Sequence, residues 1–478
     1  MRLYLILAVG LSLLVAKDTC ADTIVLKNGR RIVADSVVVD GDKVRYLTAA
    51  GELVLPKSMV DHIEKGGARQ LPGSATTGVA NLNIAPPSLE PSKANAAAEC
   101  GAVHDGVVDR EFLATVASDA RSGAPGANEK AAIAYHAAAQ LELVHGDMEH
   151  ALDDERTALT YEPDNPVMLL NVAYLHLRRS EYKQALDYLE RAQRVAPENP
   201  DVPKLTGWAY YGMNKLRQAV AEWERALALK PDAEVQAALD KARRDQLEEE
   251  NYRENESSHF TLRYSGEAEP GLAREVLRAL EAHFATIESE LSYTPPEPIG
   301  VILYTQQAFA DITRAPGWAG GLNDGRIRVP VQGLTQLTPE LSRVLKHELT
   351  HSFIRQKTRA NAPTWVQEGL AQWMEGKRSE AIAGVLLLAY DAKQVKPLGD
   401  LEGSWLQLSN EVAAYAYAWA LANVEYIVKV DGMTDMQRIL DRLAEGSTAE
   451  AALRQVLHSD YEELMQSTAQ YLRKTYGN

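Results

Sequence analysis

The chain has 478 residues, 46% hydrophobic and 24% charged, with a formal net charge of −16 at pH 7. That length calls for about three domains of ordinary size, and the composition is that of a soluble globular protein. The acidic excess favours solubility and excludes a nucleic-acid partner, because nothing here builds the basic stripe that phosphates require.

The first residues, MRLYLILAVGLSLLVAKDTCAD, have the form of an export signal. Arg2 supplies the positive start, and Leu3 to Ala16 form an apolar run too short for a membrane span. Cleavage after Ala21 is expected, so residues 1–21 read as a signal peptide. The mature protein is then exported, in a bacterial periplasm, with no membrane span left after cleavage. An uncleaved anchor is the alternative. Lys17 stands three residues before Cys20, where a lipoprotein signal wants an apolar residue, which argues against lipidation. After cleavage Cys100 alone remains and closes no intramolecular disulfide. It lies in an Ala-rich stretch and is assigned no role.

Residues 22–65 alternate in period two, with Asn28-Gly29 and Asp40-Gly41 placed as hairpin turns. They predict a small all-β module of four or five strands, marginal alone because so short a segment buries little core. Residues 66–105 change character: Pro72, Pro86, Pro87 and Pro91 lie among Gly, Ser, Ala and Thr, as in a flexible linker.

From 106 to 250 the pattern turns helical and periodic. Ala151, Ala185 and Ala219 are 34 residues apart, as are Ala158, Ala192 and Ala226, and Pro163, Pro197 and Pro231. This period resembles the tetratricopeptide repeat (TPR). Alanines let paired helices approach closely, and each proline stops the second helix of a pair. Such α-helical solenoids bind a protein partner in their concave face. Trp208, Tyr210 and Tyr211 either line that face or fill contacts between helices, the commoner role. Glu248 to Glu250 read as a solvated helix end.

The last segment, 255–478, starts strand, helix, strand: His259–Tyr264, Ala273–Leu291 and Gly300–Tyr304. After the turn Asn323-Asp324-Gly325 comes a strand, Arg326–Val331, where Pro330 points to a sheet edge. Thr338-Pro339-Glu340 then starts a helix, with Leu341, Val344, Leu345, Leu349 and Phe353 as its apolar positions. His347 and His351 project from one face a turn apart and fit adjacent corners of a zinc tetrahedron. Glu348 can reach a metal-bound water without being a ligand, which suits a general base. A catalytic site needs a third protein ligand, and PTWVQEGLAQW, residues 363–373, offers Glu368 seventeen residues after His351. Thr364 and Gln367 form a capping-box pattern at the start of that second helix. The rival reading is an ordinary helix that carries two histidines.

HELTH followed by WVQEGLAQW resembles the gluzincin branch of the zincin metallopeptidases, specifically the peptidase-MA-like proteins often joined to TPR repeats. The resemblance covers about residues 255–478. It implies an α+β zincin-like metallopeptidase domain with one zinc ion held by His347, His351 and Glu368. It also implies that Glu348 activates the water and that the Arg326–Val331 edge holds substrate backbone by strand addition. The sequence departs from the family in one place. Many gluzincins carry an acid one turn after the third ligand, whereas here Gln372 stands four after Glu368 and Ala371 three after. Gln372, a backbone carbonyl or Glu375 must then orient a zinc histidine.

An oxyanion donor is sought in EVAAYAYAWALANVEYI, which offers Tyr415 and Tyr417 as candidate catalytic residues. They point to different faces of a helix, so at most one serves, and helix packing is the alternative for both. The expected protein is multidomain: a β module, a TPR solenoid over 106–250 and a metallopeptidase domain over 255–478. Its expected function is exported, zinc-dependent hydrolysis of peptide or protein substrates, with the solenoid recruiting a protein partner. The alternative is an envelope scaffold whose zinc domain is structural or inactive. Hydrolysis of a non-peptide amide, such as a cell-wall fragment, is a third reading.

Overall fold

The computed structural model describes residues 20–26, 31–34, 36–41, 43–48, 51–57, 60–69, 86–90, 92–104, 106–265, 270–305, 308–309, 321–331, 334–403, 405, 408 and 410–477. The alternating N-terminal segment forms β1 (Cys20–Leu26), β2 (Arg31–Ala34), β3 (Ser36–Asp40), β4 (Lys43–Thr48), β5 (Gly51–Pro56) and β6 (Val60–Arg69). They make two antiparallel sheets, ordered β2-β1-β6 and β3-β4-β5. Gly41, at φ 60°, closes the β3–β4 hairpin where Asp40-Gly41 predicts a turn. The other expected turn, Asn28-Gly29, lies outside the described residues. The module runs on to Arg69 because β6 keeps pairing with β1, as far as Cys20 opposite Arg69. The expected cleavage site after Ala21 falls inside β1. Ile24, Val37 and Val44 are buried in the same apolar cluster as the C-terminal domain, so the module docks there.

The expected linker over 66–105 is shorter than its composition suggests. Pro86–Glu90 has no regular structure, but α1 (Lys93–Ala102) is a helix whose first turn is capped by the Ser92 hydroxyl. An alanine-rich run has high helix propensity, and Ala98 and Ala102 find a surface to pack on. Cys100 falls within this helix. Residues 70–85 lie outside the described residues.

A short hairpin, β7 (Val103–His104) and β8 (Val107–Val108), leads into α2 (Arg110–Arg121). The helix pairs follow: α3 (Ala127–Val144) with α4 (Met148–Tyr161), α5 (Pro166–Arg178) with α6 (Tyr182–Val195), and α7 (Asp201–Gly212) with α8 (Leu216–Leu229). The stack ends on α9 (Ala233–Glu249). All six registered alanines are buried on α4, α6 and α8, and the three registered prolines follow those helices directly. The period reaches the backbone too: Gly146, Ser180 and Asn214, one per pair, turn with φ of 82°, 61° and 58°. Trp208 and Tyr211 pack with Trp223 in an aromatic cluster, so these two fill helix contacts.

The C-terminal domain carries β9 (Arg253–Glu256), β10 (Phe260–Tyr264), α10 (Pro270–Leu291), β11 (Ile299–Tyr304), β12 (Leu322–Asn323) and β13 (Ile327–Pro330). The sheet order is β12-β13-β11-β10-β9, with β10, β11 and β13 parallel and the outer two antiparallel. One face buries Phe260, Leu262, Val301, Leu303, Ile327 and Val329 against the helices of the domain. Beyond the sheet come α11 (Pro339–Lys357), α12 (Thr364–Met374), α13 (Ala383–Asp391), α14 (Asn410–Tyr426), α15 (Met433–Ala444), α16 (Ala449–Leu457) and α17 (Tyr461–Tyr476). No helix among the described residues is long and apolar enough to cross a membrane.

Two expectations fail on this sheet, for one reason. The strand read as an edge is flanked on both sides, by β11 and, over Ile327 and Arg328, by β12. The Asn323-Asp324-Gly325 turn folds Leu322–Asn323 back upon it. The acidic end of α9 is solvated only in part: Glu250 is exposed and Glu248 half-buried, but Glu249 is 4% exposed. Alternate residues of the strand, Arg326 and Arg328, face the solenoid and meet Asp245 and Glu249 of α9 there. Arg328 also binds Asp324 at 3.0 Å and the Tyr304 hydroxyl at 2.5 Å, while Lys241 reaches Asp324 at 2.6 Å. Lys241, Arg326 and Arg328 thus meet Asp245, Glu249 and Asp324 in a largely buried seam, with Arg263 also on Glu249 at 3.1 Å, so that each charge is paired as burial demands. The turns of the helix pairs extend this contact. Asn214 accepts from Arg326 at 2.8 Å, Ser180 from Arg355 at 3.2 Å, and Glu149 pairs with Arg359.

Candidate active site

The site is built from two helices and the turn between them. At the start of α11 the Thr338 hydroxyl accepts from Leu341 N, with Pro339 in the first helical position. Leu341, Leu345, Leu349 and Phe353 are wholly buried in the core and fix the rotation of the helix. His347, Glu348 and His351 are thereby held in the interior, each no more than 5% exposed. The chain then reverses through Arg359 and Ala360, both left-handed, at φ 51° and 63°. Asn361 ties this turn to the Leu443 carbonyl at 2.8 Å. The capping box read at Thr364 and Gln367 does not form. Pro363 is the cap and makes no side-chain bond. Thr364 N donates instead to the Glu402 carbonyl, and the Gln367 amide to the Ala362 carbonyl.

Glu368 lies in the second turn of α12, facing the histidines. The two Nε2 atoms are 3.1 Å apart, and Glu368 Oε2 lies 3.6 Å from that of His347 and 3.7 Å from that of His351. Bonds of about 2.0–2.2 Å to one tetrahedral ion place ligand atoms roughly 3.3 Å apart, so this triangle fits a zinc-sized cation. Glu368 Oε2 is buried and accepts no hydrogen bond, an orphaned acceptor that such an ion would satisfy. The three residues form a possible metal site from one carboxylate and two imidazoles.

The carboxylate that faces the other nitrogen of His347 is that of Glu375. Its Oε1 lies 3.5 Å from His347 Nδ1, and Lys377 sits on the same oxygen at 2.7 Å. Gln372 serves elsewhere, its amide donating to the carbonyls of Glu368 and Tyr417 and so tying α12 to α14. Glu375 is seven residues beyond Glu368, two helical turns on and on the same face, a spacing visible in the sequence. In the metal-free site burial opposes a charge on His347, but Glu375 and Glu368 outweigh it and push the imidazole up to about 10. Burial and the His347 charge hold His351 well below its ordinary value. Burial raises Glu368, whereas His347 and Lys377 overcome burial at Glu375 and bring it down to about 2.

The two tyrosines part company on α14. Tyr417 is buried, with its ring edge-on to Trp405 at 4.8 Å. Burial, and then the charges of Glu368 and Glu348, push its phenol far above the usual value, so it stays a hydrogen-bond donor. Tyr415 is 45% exposed. The approach of α14 to α12 depends on Gly369, where a Cβ would overlap the Ala420 carbonyl and Val424.

The upper rim contributes residues that the sequence alone does not single out. Asn323 of β12 donates to the Glu348 carbonyl at 2.8 Å and to the Ser352 hydroxyl at 2.7 Å. It pins the short outer strand to the helix carrying the histidines. Gly321, just before it, lies so near that a Cβ would stand 2.8 Å from Glu348 Oε1 and 2.9 Å from its Cγ. A glycine followed two residues later by asparagine, ahead of a turn, is the only signal in the sequence, and it is faint.

Comparison with known proteins agrees with this anatomy. Residues 282–474 match the sequence model of the Peptidase MA superfamily, and residues 176–242 match that of a tetratricopeptide repeat. No curated protein matches the chain. Among solved structures it is similar to the Arabidopsis OM64 TPR domain, at 19% identity over 24% of this chain and 97% of that one, with a TM-score of 0.24. The first TPR of Spaghetti (RPAP3), bound to an HSP90 peptide, is 22% identical over 24% and 93%, again at 0.24. The first TPR domain of human RPAP3 is 23% identical over 25% and 95%, with the same score. The chain therefore joins tetratricopeptide repeats to a domain of the Peptidase MA superfamily.

Proposed function

We propose that the protein is an exported, zinc-dependent peptidase whose solenoid holds a protein partner or substrate. One observation carries this reading: two imidazole nitrogens and a carboxylate oxygen converge within 3.7 Å of one another, beside a glutamate on the same helix. His347, His351 and Glu368 would hold the metal, with Glu375 fixing the His347 ring. A zinc ion bound there supplies a Lewis acid that acidifies water and polarises a peptide carbonyl. Glu348, buried beneath Gly321, takes the proton of the attacking water on its carboxylate and passes it to the leaving amine. Tyr417, held protonated, donates its phenolic hydrogen to the oxygen on which negative charge develops. The backbone at Gly321–Asn323 passes beside Glu348 and offers a main-chain edge along which an extended peptide can add. The export part of the reading rests on Arg2 and the apolar run Leu3 to Ala16.

The test is Glu348→Gln. Zinc content should persist, while hydrolysis of an unfolded protein substrate falls by at least about 100-fold, the lower range for loss of a general base. Undiminished cleavage overturns the assignment. Bound zinc with no turnover of any polypeptide by the native protein favours a scaffold with a structural metal.

A further inference from the structure

We propose that Pro86–Glu90 occupies, from within the chain, part of the face formed by the first helices of the solenoid pairs, and that an extended, proline-containing partner segment must displace it there. The inference stands apart from the metal reading and rests on Asn171. That residue sits in the middle of α5 and is 1% exposed. Its amide donates to the Pro87 carbonyl at 2.6 Å and to the Val167 carbonyl at 2.9 Å, while its oxygen accepts from Gln140 of α3 at 2.8 Å. Both N–H groups are used, and one of them is satisfied by a main-chain carbonyl from outside the repeats.

The segment lies there as an extended strand of peptide would. Pro87 and Leu89 are half-buried, Ser88 and Glu90 are exposed, and Leu89 packs on the apolar cluster of the solenoid. The pair Pro86-Pro87 fixes two φ angles in advance and lowers the ordering cost of binding. At the far end the Glu90 carbonyl accepts from the Asn95 amide, which anchors the segment to the first turn of α1. An asparagine that reads a carbonyl carries no sequence information. Selectivity comes from the proline that presets the backbone and the apolar residue two positions on. The fitting partner is therefore an extended segment of Pro-Pro-x-Leu type.

A tethered occupant acts as a competitor at an effective concentration on the order of 1 mM. A free segment with an intrinsic Kd of about 0.1 mM then binds roughly tenfold more weakly than it would to an emptied groove. The experiment uses the full chain and a fluorescent peptide matching residues 86–90, blocked at both ends, read by anisotropy. The double variant Pro87→Gly, Leu89→Ser should bind the peptide about tenfold more tightly than the native chain. Adding Asn171→Ala should remove that gain, with circular dichroism confirming that the helices persist; Gln140→Ala, which strips the bond orienting Asn171, serves if Asn171→Ala unfolds the repeats. Equal affinity for the native and double-variant chains, binding to neither, or binding indifferent to the groove substitutions would overturn the proposal.

Discussion

Asp245→Ala should loosen the joint between solenoid and sheet. Its carboxylate is fully buried and accepts from Arg328 at 2.7 and 3.3 Å, from the Tyr211 hydroxyl at 3.1 Å and from Arg326. Removing it leaves Lys241, Arg326 and Arg328 facing Asp324 and Glu249, the latter shared with Arg263, so positive charge is in excess around two buried guanidinium groups. Breaking a buried pair in this way costs about 3–5 kcal/mol. The lower end is expected, because Arg328 keeps Asp324 and Arg326 keeps Glu249. For a cooperative unit of 150–250 residues each kcal/mol moves Tm by roughly 2–4 °C, so a loss of about 6–12 °C follows. Thermal unfolding of the full chain measures it. The paired substitution Asp245→Leu with Arg328→Met removes one charge of each sign and should cost less than the single change. A single-variant loss under about 2 °C, or a double variant as damaged as the single one, would refute the argument that charge balance holds this seam.

Glu375→Gln should lower zinc affinity about 10–100-fold, measured by competition with a chelator, while the fold is retained. Gly321→Ala should push the Glu348 carboxylate aside and reduce kcat by on the order of 100-fold with zinc content unchanged, since misplacement near 1 Å costs about that much. Because Glu375 and Glu368 hold a proton on metal-free His347 up to about 10, zinc loading at neutral pH should expel it. Calorimetry in buffers of different ionisation enthalpy reads that proton, and apparent affinity should rise with pH. The seam has the opposite acid–base character. Asp324 and Asp245 are held below the usual carboxylate range by Arg328 and its neighbours, against the effect of burial. Their contribution is complete above about pH 4, the unfolded value, and is lost only as pH falls through the lower folded values, so unfolding midpoints should change little between pH 7 and 5 from this source.

The repeat and the two site helices are legible in the sequence because both are local patterns. A 34-residue period and a four-residue spacing survive without knowledge of what packs where. Glu375 is also within reach: seven residues from Glu368 puts it on the same face. What does not show is everything fixed by a distant partner. Arg326 and Arg328 read as polar residues on an edge strand, and Glu249 as part of a solvated run, because each charge is satisfied by residues about 80 positions away. Tyr415 and Tyr417 are indistinguishable until the rotation of α14 is known. The helix at Lys93–Ala102 hides in a stretch that reads as linker, because alanine, small and featureless, is also the best helix former.

The buried seam has a consequence for how far things lie from the site. Three turns of the repeat stack and the end of α9 are fastened to the C-terminal domain at Glu149, Ser180, Asn214, Asp245 and Glu249. A cargo gripped by the repeats would therefore be held at a set bearing from His347, not swung on a tether. The stack becomes a ruler. Any chain captured there would present bonds to the site at a fixed count of residues from its anchor, so the positions of the cuts would report where it is gripped.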